Sequence, residues 1–448
     1  MGRIFGTDGV RGIANDELTV ELALSIGRAT AVILKNKKDK KPLVLVGGDT
    51  RISTDMLSSG VMSGLCSMGA DVMYLGVVAT PAVAYLVRKY GADAGIMISA
   101  SHNPSEYNGI KIFSGDGFKL PDALEDQIET MILMPDKYLH TSSDNVGRII
   151  HAESAVQEYV EFLKSNVCVD LSGLKIAIDC SNGSASRTAP ELFRALGAEV
   201  TVLSAEPDGY NINRGCGSTH IESLSKTVVN EGLDAGFAFD GDADRCLCID
   251  GNGELIDGDF ILAICALDMK ARGCLKNNTV VGTVMTNFGF TKFCRENKIS
   301  FIPTKVGDRY VLEEMNLGDY VLGGEQSGHI IFRAYATTGD GQLTALQILS
   351  LMARSKKSLS SLASVMQRAP QELINLNVSA DAKLRFYTDP DIKAAIKKAE
   401  SELSETGRIV VRPSGTEPLI RVMTEGSDRA LIVKVAKEVA DAIERSLR

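Results

Sequence analysis

The sequence predicts an α/β chain: three similar α/β domains with mixed, mostly parallel sheets, followed by a C-terminal α+β domain of two layers. Three observations carry that expectation. Short β-branched runs alternate with helical patterns of about 10–15 residues, the signature of βαβ units. The succession of strand, polar loop and helix occurs three times before the tail breaks it. The length of 448 residues exceeds what one hydrophobic core serves and suits three or four domains.

In chain order, the first unit has a strand-like run at Leu43–Val46 ending in Gly47-Gly48-Asp49, then helical stretches at Met56–Met68 and Ala82–Tyr90. Its second run, Gly95–Ile98, ends in Ser99-Ala100-Ser101-His102. The second unit has Ile176–Ile178 ending in Asp179, a helical stretch at Ala189–Leu196, and Ala235–Phe239 ending in Asp240-Gly241-Asp242. The third starts with Val280–Val284 and reaches Tyr320–Leu322, which runs into Gly323-Gly324-Glu325. In the tail come strand-like Leu373–Val378, helical Asp391–Ser404, a strand and loop over Ile409–Glu417, a strand at Leu419–Thr424 and a helix from Asp428. That helix repeats Ile432, Val435, Val439 and Ile443 on one face, a stripe suited to covering a sheet. The expected domains are residues 1–152, 153–253, 254–368 and 369–448. In parallel sheets the functional side chains sit in loops beyond the carboxyl ends of the strands, so each unit offers one polar loop.

Composition narrows the function classes. A 44% hydrophobic and 23% charged chain is globular and not generally disordered. Lys+Arg 48 against Asp+Glu 57, a net charge of −9, argues against nucleic acid or an anionic membrane surface as the main partner. No apolar run approaches the roughly 18–20 residues of a membrane span. The first residues lack the apolar stretch of a secretory signal, and Gly6 stands where a myristoylation signal needs Ser or Thr. Nine scattered cysteines without a C-x-x-C pair read as reduced thiols, so a cytoplasmic chain is expected.

Four loops carry the chemistry. Ser99-Ala100-Ser101-His102-Asn103-Pro104, with Asn108-Gly109-Ile110-Lys111 beyond it, offers a hydroxyl among His and Asn donors. It suits a nucleophile or a phosphate carrier, and equally an ordinary capped turn. Asp240-Gly241-Asp242-Ala243-Asp244-Arg245 puts three carboxylates on alternate positions. Each pair at ~5 Å repels by roughly 3 kcal/mol at an effective dielectric near 20, so a cation is wanted, and hard oxygen donors favour Mg²⁺. A solvated acidic turn is the plainer alternative. An EF-hand fails, because Arg245 and Gly251 stand where Gly and Glu are needed, and Asp244 breaks the pattern of an aspartyl-phosphate phosphatase. In Gly323-Gly324-Glu325-Gln326-Ser327-Gly328-His329, glycines allow close approach of the backbone while Glu325 and Ser327 suit adjacent sugar hydroxyls. A cap or surface role for Glu325 and a core role for His329 fit the same residues. Arg412-Pro413-Ser414-Gly415-Thr416-Glu417-Pro418, with Arg421 beyond, combines successive amides and two guanidiniums, a set fitted to phosphate. A hairpin with surface arginines is the alternative, and the acidic chain makes a focused positive loop the better site. Two further glycine-containing stretches, Gly6–Gly12 and Lys305–Arg309, are by default turns.

Taken together, these loops resemble the α-D-phosphohexomutase superfamily along the whole chain. Phe5–Gly12, Ser99–Pro104, Asp240–Arg245, Gly324–His329 and Arg412–Pro418 occur in that order. Gln326 is a finer marker: glucosamine members of the superfamily typically read G-E-Q-S-G-H, where phosphomannomutase/phosphoglucomutase members commonly have Met. The resemblance implies four domains around a central cleft. It also implies an isomerase that interconverts glucosamine 6-phosphate and glucosamine 1-phosphate through a phosphoserine enzyme and a 1,6-bisphosphate, feeding amino-sugar nucleotide and cell-wall precursor synthesis.

By that match Ser101 carries the phosphoryl group, and one Mg²⁺ per subunit is held by Asp240, Asp242, Asp244 and an oxygen of the Ser101 phosphate. Glu325 and Ser327 grip sugar hydroxyls, with His102 also on the substrate side. Arg412, Ser414, Gly415, Thr416 and Arg421 hold the phosphate that is not reacting. Arg11, Lys111, Arg245 and His329 stabilise charge or move protons, and Lys111 and His329 are the candidates for general base. Glucosamine 1,6-bisphosphate as intermediate or activator, phosphorylation of Ser101 by a kinase or by the enzyme itself, and a homodimer are further expectations. A phosphomannomutase/phosphoglucomutase and a metal-dependent sugar-phosphate phosphatase are the alternatives.

Overall fold

Four sheets organise the chain in the computed structural model, which describes residues 4–6, 8–35, 40–134, 141–167, 169–413 and 419–447, apart from the side chains at 380 and 381. The first sheet contains β1 (Val10–Ile13), β2 (Leu43–Gly48), β3 (Asp71–Val77), β4 (Ala94–Ile98), β5 (Tyr107–Ser114) and β6 (Ile149–His151). The second contains β7 (Lys175–Asp179), β8 (Glu199–Leu203), β9 (Ala235–Phe239), β10 (Cys246–Asp250) and β11 (Leu255–Ile256). The third contains β12 (Thr279–Thr283), β13 (Ser300–Thr304), β14 (Leu322–Gly324) and β15 (Ile330–Phe332). The last contains β16 (Gln371–Asn377), β17 (Gly407–Pro413) and β18 (Leu419–Gly426).

The strand orders are β1-β5-β4-β2-β3-β6, β11-β10-β9-β7-β8 and β13-β12-β14-β15. Each of these three sheets has a parallel centre that gives way to antiparallel pairing at the same point, β4 with β5, β9 with β10, β14 with β15, and in the first two the antiparallel part continues to β1 and β11. Residues 94–98 (AGIMI) and 235–239 (AGFAF) are buried throughout. Such unbroken apolar runs belong to strands covered by helices on both faces. Three equivalent loops therefore leave the ends of β4, β9 and β14.

One strand differs from the sequence expectation. The sequence pattern puts it at Tyr320–Leu322, whereas the strand runs two residues later, Leu322–Gly324. Glycines at a strand end read as loop, but a Cβ at Gly324 would strike the His329 carbonyl oxygen, so glycine is what lets β14 and β15 approach.

In the C-terminal domain, β18 lies between β16 and β17, all antiparallel. Helices Pro390–Leu403 and Arg429–Leu447 cover this sheet, and the predicted stripe Ile432, Val435, Val439 and Ile443 is buried against it. One continuous hydrophobic cluster joins the first three sheets, running from Leu45 and Met97 through Phe239 to Phe332 and Met366. Tyr85 of the first unit stacks on Phe162 of the second with ring centroids 4.0 Å apart. The C-terminal core, from Leu376 to Leu447, is separate. Among the described residues no helix is long and apolar enough to cross a membrane.

Candidate active site

The loops after β4, β9 and β14 meet. Ser101 has φ 54°, a left-handed conformation rare outside glycine, and is buried. Its Oγ donates to Asp240 Oδ2 at 2.6 Å and lies 3.3 Å from His102 Nδ1. Asp240, Asp242 and Asp244 each offer a carboxylate oxygen, and these oxygens lie within 4.8 Å of one another. Burial, with Asp244 and Asp242 adding to it, pushes the Asp240 carboxyl well above its usual range. Burial acts the same way on Asp244, but Lys111, His329 and Arg245 outweigh it and hold that group well below. The Oδ1 atoms of Asp242 and Asp244 are shielded from solvent and have no hydrogen-bond partner among the described residues. Two orphaned anionic oxygens beside a third carboxylate and a hydroxyl make an all-oxygen donor set, which suits a hard divalent cation. The residues assigned to the metal therefore fit one.

Lys111 reaches the same cluster from β5, where it stands opposite Met97 of β4. Its Nζ is 2.9 Å from Asp242 Oδ2, 3.1 Å from Asp8 Oδ2 and 3.6 Å from Asp244 Oδ2. Burial disfavours its charge, yet Asp242, Asp8 and Asp244 prevail and raise its pKa. In this arrangement the charged form of Lys111 is favoured. His329 Nδ1 faces Asp244 Oδ2 at 3.6 Å while Nε2 accepts the Gly339 amide at 3.0 Å, which puts the neutral ring's proton on Nδ1. Burial lowers the affinity of His329 for a second proton, and Asp244 more than restores it. Gly339 is needed there because a Cβ would fall onto the imidazole. Burial, then Arg245 and Arg11, pushes His102 down to about 4, so it is neutral at physiological pH.

Beside this centre lies a cavity of about 500 Å³. Arg11, His102, Asp244, Arg245, Glu325 and His329 all line it. So do Asp8 and Asp308, from the two stretches that glycine content alone marks as turns. Lys119 pairs with both of these carboxylates and is nearly buried. Nothing in its sequence neighbourhood singles it out; only the third dimension brings β5's exit against the loop before Arg309. Glu325 Oε1 accepts the Gly307 amide at 3.1 Å, and Ser327 Oγ is shielded with no partner among the described residues. Gln326 turns away: its Nε2 donates to Asp257 Oδ2 at 3.3 Å, and that carboxylate pairs with Arg368 at 2.7 Å.

The structure does not bring Arg412 and Arg421 into the lining of this cavity. They stand directly opposite each other on β17 and β18. Like charges facing each other across an antiparallel pair are unfavourable in themselves. Ser414, Gly415 and Thr416, the expected amides of the phosphate loop, lie outside the described residues.

Four family models match: phosphoglucomutase/phosphomannomutase alpha/beta/alpha domain I over residues 2–138, domain II over 157–253, domain III over 257–369, and the C-terminal domain over 373–442. Among curated proteins, the chain is 55% identical over 447 residues to a phosphoglucosamine mutase of Caldanaerobacter subterraneus subsp. tengcongensis, covering 100% of both. It is 55% identical over 445 residues to a phosphoglucosamine mutase of Clostridium novyi, covering 99% of each. Among solved structures it superposes on a phosphoglucomutase/phosphomannomutase family protein from Burkholderia thailandensis with a TM-score of 0.85 at 24% identity, over 99% of this chain and 97% of that one. An Aspergillus fumigatus N-acetylphosphoglucosamine mutase, in complex with GlcNAc-6P and magnesium, gives a TM-score of 0.68 at 17% identity over 99% and 96%. The two superpositions show the fold.

Proposed function

The chain belongs to the phosphoglucomutase/phosphomannomutase family, and from that premise we propose that it is a phosphoglucosamine mutase working through a phosphorylated Ser101. It is an isomerase that interconverts glucosamine 6-phosphate and glucosamine 1-phosphate, the reaction named for its 55%-identical relatives. The observation that carries the catalytic reading is the hydroxyl of Ser101, held 2.6 Å from Asp240 within a buried group of three aspartates.

In the proposed reaction the phosphorylated Ser101 gives its phosphoryl group to O1 of glucosamine 6-phosphate. The Oγ–P bond breaks, the O1–P bond forms, and the O1 proton passes through a base to the departing Oγ, which gives it up again in the return step. The resulting 1,6-bisphosphate turns over in the cleft. Its 6-phosphoryl group returns to Ser101, O6 regains a proton, and glucosamine 1-phosphate leaves. Asp240, Asp242, Asp244 and the Ser101 phosphate are the residues to hold one Mg²⁺ per subunit, which when bound neutralises charge on the transferring phosphoryl group. Lys111, Arg245 and Arg11 add positive charge around Ser101, where positioning and electrostatics supply most of the rate. Of the two candidate bases His329 is preferred, because burial works against its charged form and Asp244 is the main group that restores it, while Lys111 is held charged by three carboxylates. Glu325 and Ser327 receive sugar hydroxyls. Arg412 and Arg421, with Ser414, Gly415 and Thr416, hold whichever phosphate is not reacting.

Priming of Ser101 by a hexose bisphosphate, a kinase or the enzyme itself belongs to the same proposal, as does a homodimer. A cytoplasmic setting agrees with the free thiols of all eight described cysteines.

³¹P NMR tests the reading, with Mg²⁺, a trace of hexose 1,6-bisphosphate, and glucosamine, glucose and mannose 6-phosphates offered in parallel. The 1-phosphate signal is expected to grow fastest from glucosamine 6-phosphate. A lead by glucose or mannose would correct the substrate, and free phosphate alone would overturn the mutase assignment.

A further inference from the structure

Ser101 is held by an arginine that no loop of the active site contains. Arg51 follows β2 and precedes the helix Ser53–Ser67, and its side chain is wholly buried. A guanidinium has five N–H donors, and here every one is used. Nε donates to Asp49 Oδ2 at 2.9 Å. Nη1 donates to the carbonyl oxygens of Pro104 and of Tyr107, the latter at 3.0 Å. Nη2 donates to the carbonyl oxygens of Ser101 at 2.9 Å and Asn103 at 2.8 Å. Four carbonyls of one loop thus converge on one side chain.

Asp49 completes the device. Its Oδ1 accepts the Arg51 amide at 3.0 Å and Thr54 Oγ1 at 3.1 Å, and its Oδ2 accepts Ser99 Oγ at 2.6 Å. Ser99 Oγ in turn accepts the Ser101 amide at 2.9 Å. The amide and the carbonyl of Ser101 are therefore both gripped from the same buried ion pair. Asn213 of the second unit adds bonds to the Ser101 and Asn103 carbonyls at 2.9 and 3.0 Å. A residue with a Cβ keeps a left-handed conformation only where its surroundings over-determine it, and this network does so. Relaxation of Ser101 to the ordinary right-handed region would swing its Oγ away from Asp240.

We propose that Arg51, through Asp49 and Ser99, is a positioning residue that fixes Ser101 in its left-handed conformation so that Oγ faces the aspartate cluster. It touches neither sugar nor phosphate. The inference rests on the reading of Ser101 as the phosphoryl carrier, so the test includes a variant that separates the two.

Parent, Arg51→Lys, Ser99→Ala and Ser101→Ala proteins are given Mg²⁺ and glucose 1,6-bisphosphate. Phosphoryl uptake is followed by intact-protein mass and turnover of glucosamine 6-phosphate by ³¹P NMR. Arg51→Lys keeps the charge but not the fork, and kcat is expected to fall about a hundredfold, the usual cost of a ~1 Å misplacement. Ser99→Ala removes a single hydroxyl and is expected to lower kcat about tenfold, with KM within about threefold of the parent and a thermal midpoint lower by a few degrees, since the Ser101 amide loses its buried acceptor. If Arg51→Lys does not fold, Ser99→Ala decides alone. A Ser99→Ala kcat within about twofold of the parent, or a loss confined to KM, overturns the inference. Phosphoryl uptake by Ser101→Ala would overturn the carrier assignment itself. An inert Ser101→Ala beside parent-like Ser99→Ala and Arg51→Lys would overturn the positioning role alone.

Discussion

The two ends of the proposed site are built differently. Around Ser101 and the three aspartates, the first three domains share one hydrophobic cluster, and the connections between them are buried: Thr80 Oγ1 to Asp242 Oδ2 at 2.6 Å, Tyr159 to Asp340 Oδ2 at 2.8 Å. The arginine pair on β17 and β18 belongs to a domain with its own core, joined to the third domain by polar contacts. There Glu425 accepts the Phe288 amide at 2.9 Å and Asn287 Nδ2 at 3.2 Å, and Arg408 Nε donates to Glu425 at 2.8 Å. Apolar burial resists separation, whereas polar contacts can be replaced by water at small cost. The contrast suits a reaction whose intermediate must turn over. In the proposed reaction one end would hold the reacting phosphoryl group in a set geometry, and the other would accept either phosphate.

The largest effect should come from the rigid end. Asp242→Asn is expected to lower kcat about a thousandfold and to move the Mg²⁺ titration to higher concentration. The substitution also leaves Lys111 with two carboxylates where it had three. An unchanged Mg²⁺ titration would remove Asp242 from the metal set. Arg421→Ala should act differently, raising KM about ten- to a hundredfold with kcat near the parent, because a remote phosphate grip is equally made in ground and transition states. Steady-state kinetics on glucosamine 6-phosphate checks this. A kcat loss as deep as that of Asp242→Asn would erase the distinction between the ends.

What could be read from the sequence follows the same divide. The loops at 99–104, 240–245 and 323–329 were legible because each leaves a buried apolar strand, and a polar string at such a point has few other uses. Lys119, Asp308 and Asp49 were not. Their roles depend on pairings across 189 residues for Lys119 with Asp308 and 50 for Asp49 with Ser99, and local pattern carries no trace of them. Arg51 is the clearest case. Its neighbourhood reads as a turn between strand and helix, and only the folded chain shows four carbonyls converging on it. Gln326 was legible as a family marker, but its side chain is spent on Asp257, the residue that caps the helix Gly258–Ala271, so its bearing on the sugar is indirect.

The joint to the C-terminal domain is rich in acid, which gives a pH test of intermediate size. Asp259 Oδ2 accepts the Asn287 amide at 2.8 Å, and burial, then Asp257 and Glu425, push its carboxyl up to about 7. A group whose folded pKa is raised favours the fold most while it is protonated in both states. Stability should therefore fall as pH climbs from about 4, where the unfolded carboxyl ionises, to about 7, and level off above. Asp259→Asn removes that loss. It should match the parent's thermal midpoint at pH 4 and exceed it at pH 8 by the equivalent of about 2 kcal/mol, the new amide cancelling part of the gain. A parent-like midpoint at pH 8 would mean that folding does not raise the Asp259 carboxyl and that the joint is an ordinary one.

The smallest effect is the most discriminating. Arg408 spans the joint with a forked grip, Nε on Glu425, Nη1 on the Val284 carbonyl at 2.9 Å and Nη2 on that of Thr286. Lysine keeps the charge but presents a single point, so Arg408→Lys should cost about 1 kcal/mol. If the C-terminal domain is joined mainly by such contacts, the loss should appear as faster amide exchange around residues 284–288, where the opening occurs. Phosphoryl uptake by Ser101 should stay at the parental rate, since none of the contacts that hold Ser101 passes through Arg408. Slower uptake in step with the faster exchange would show that the two ends move as one body. The turnover of the bisphosphate would then have to take place in a cleft of constant shape.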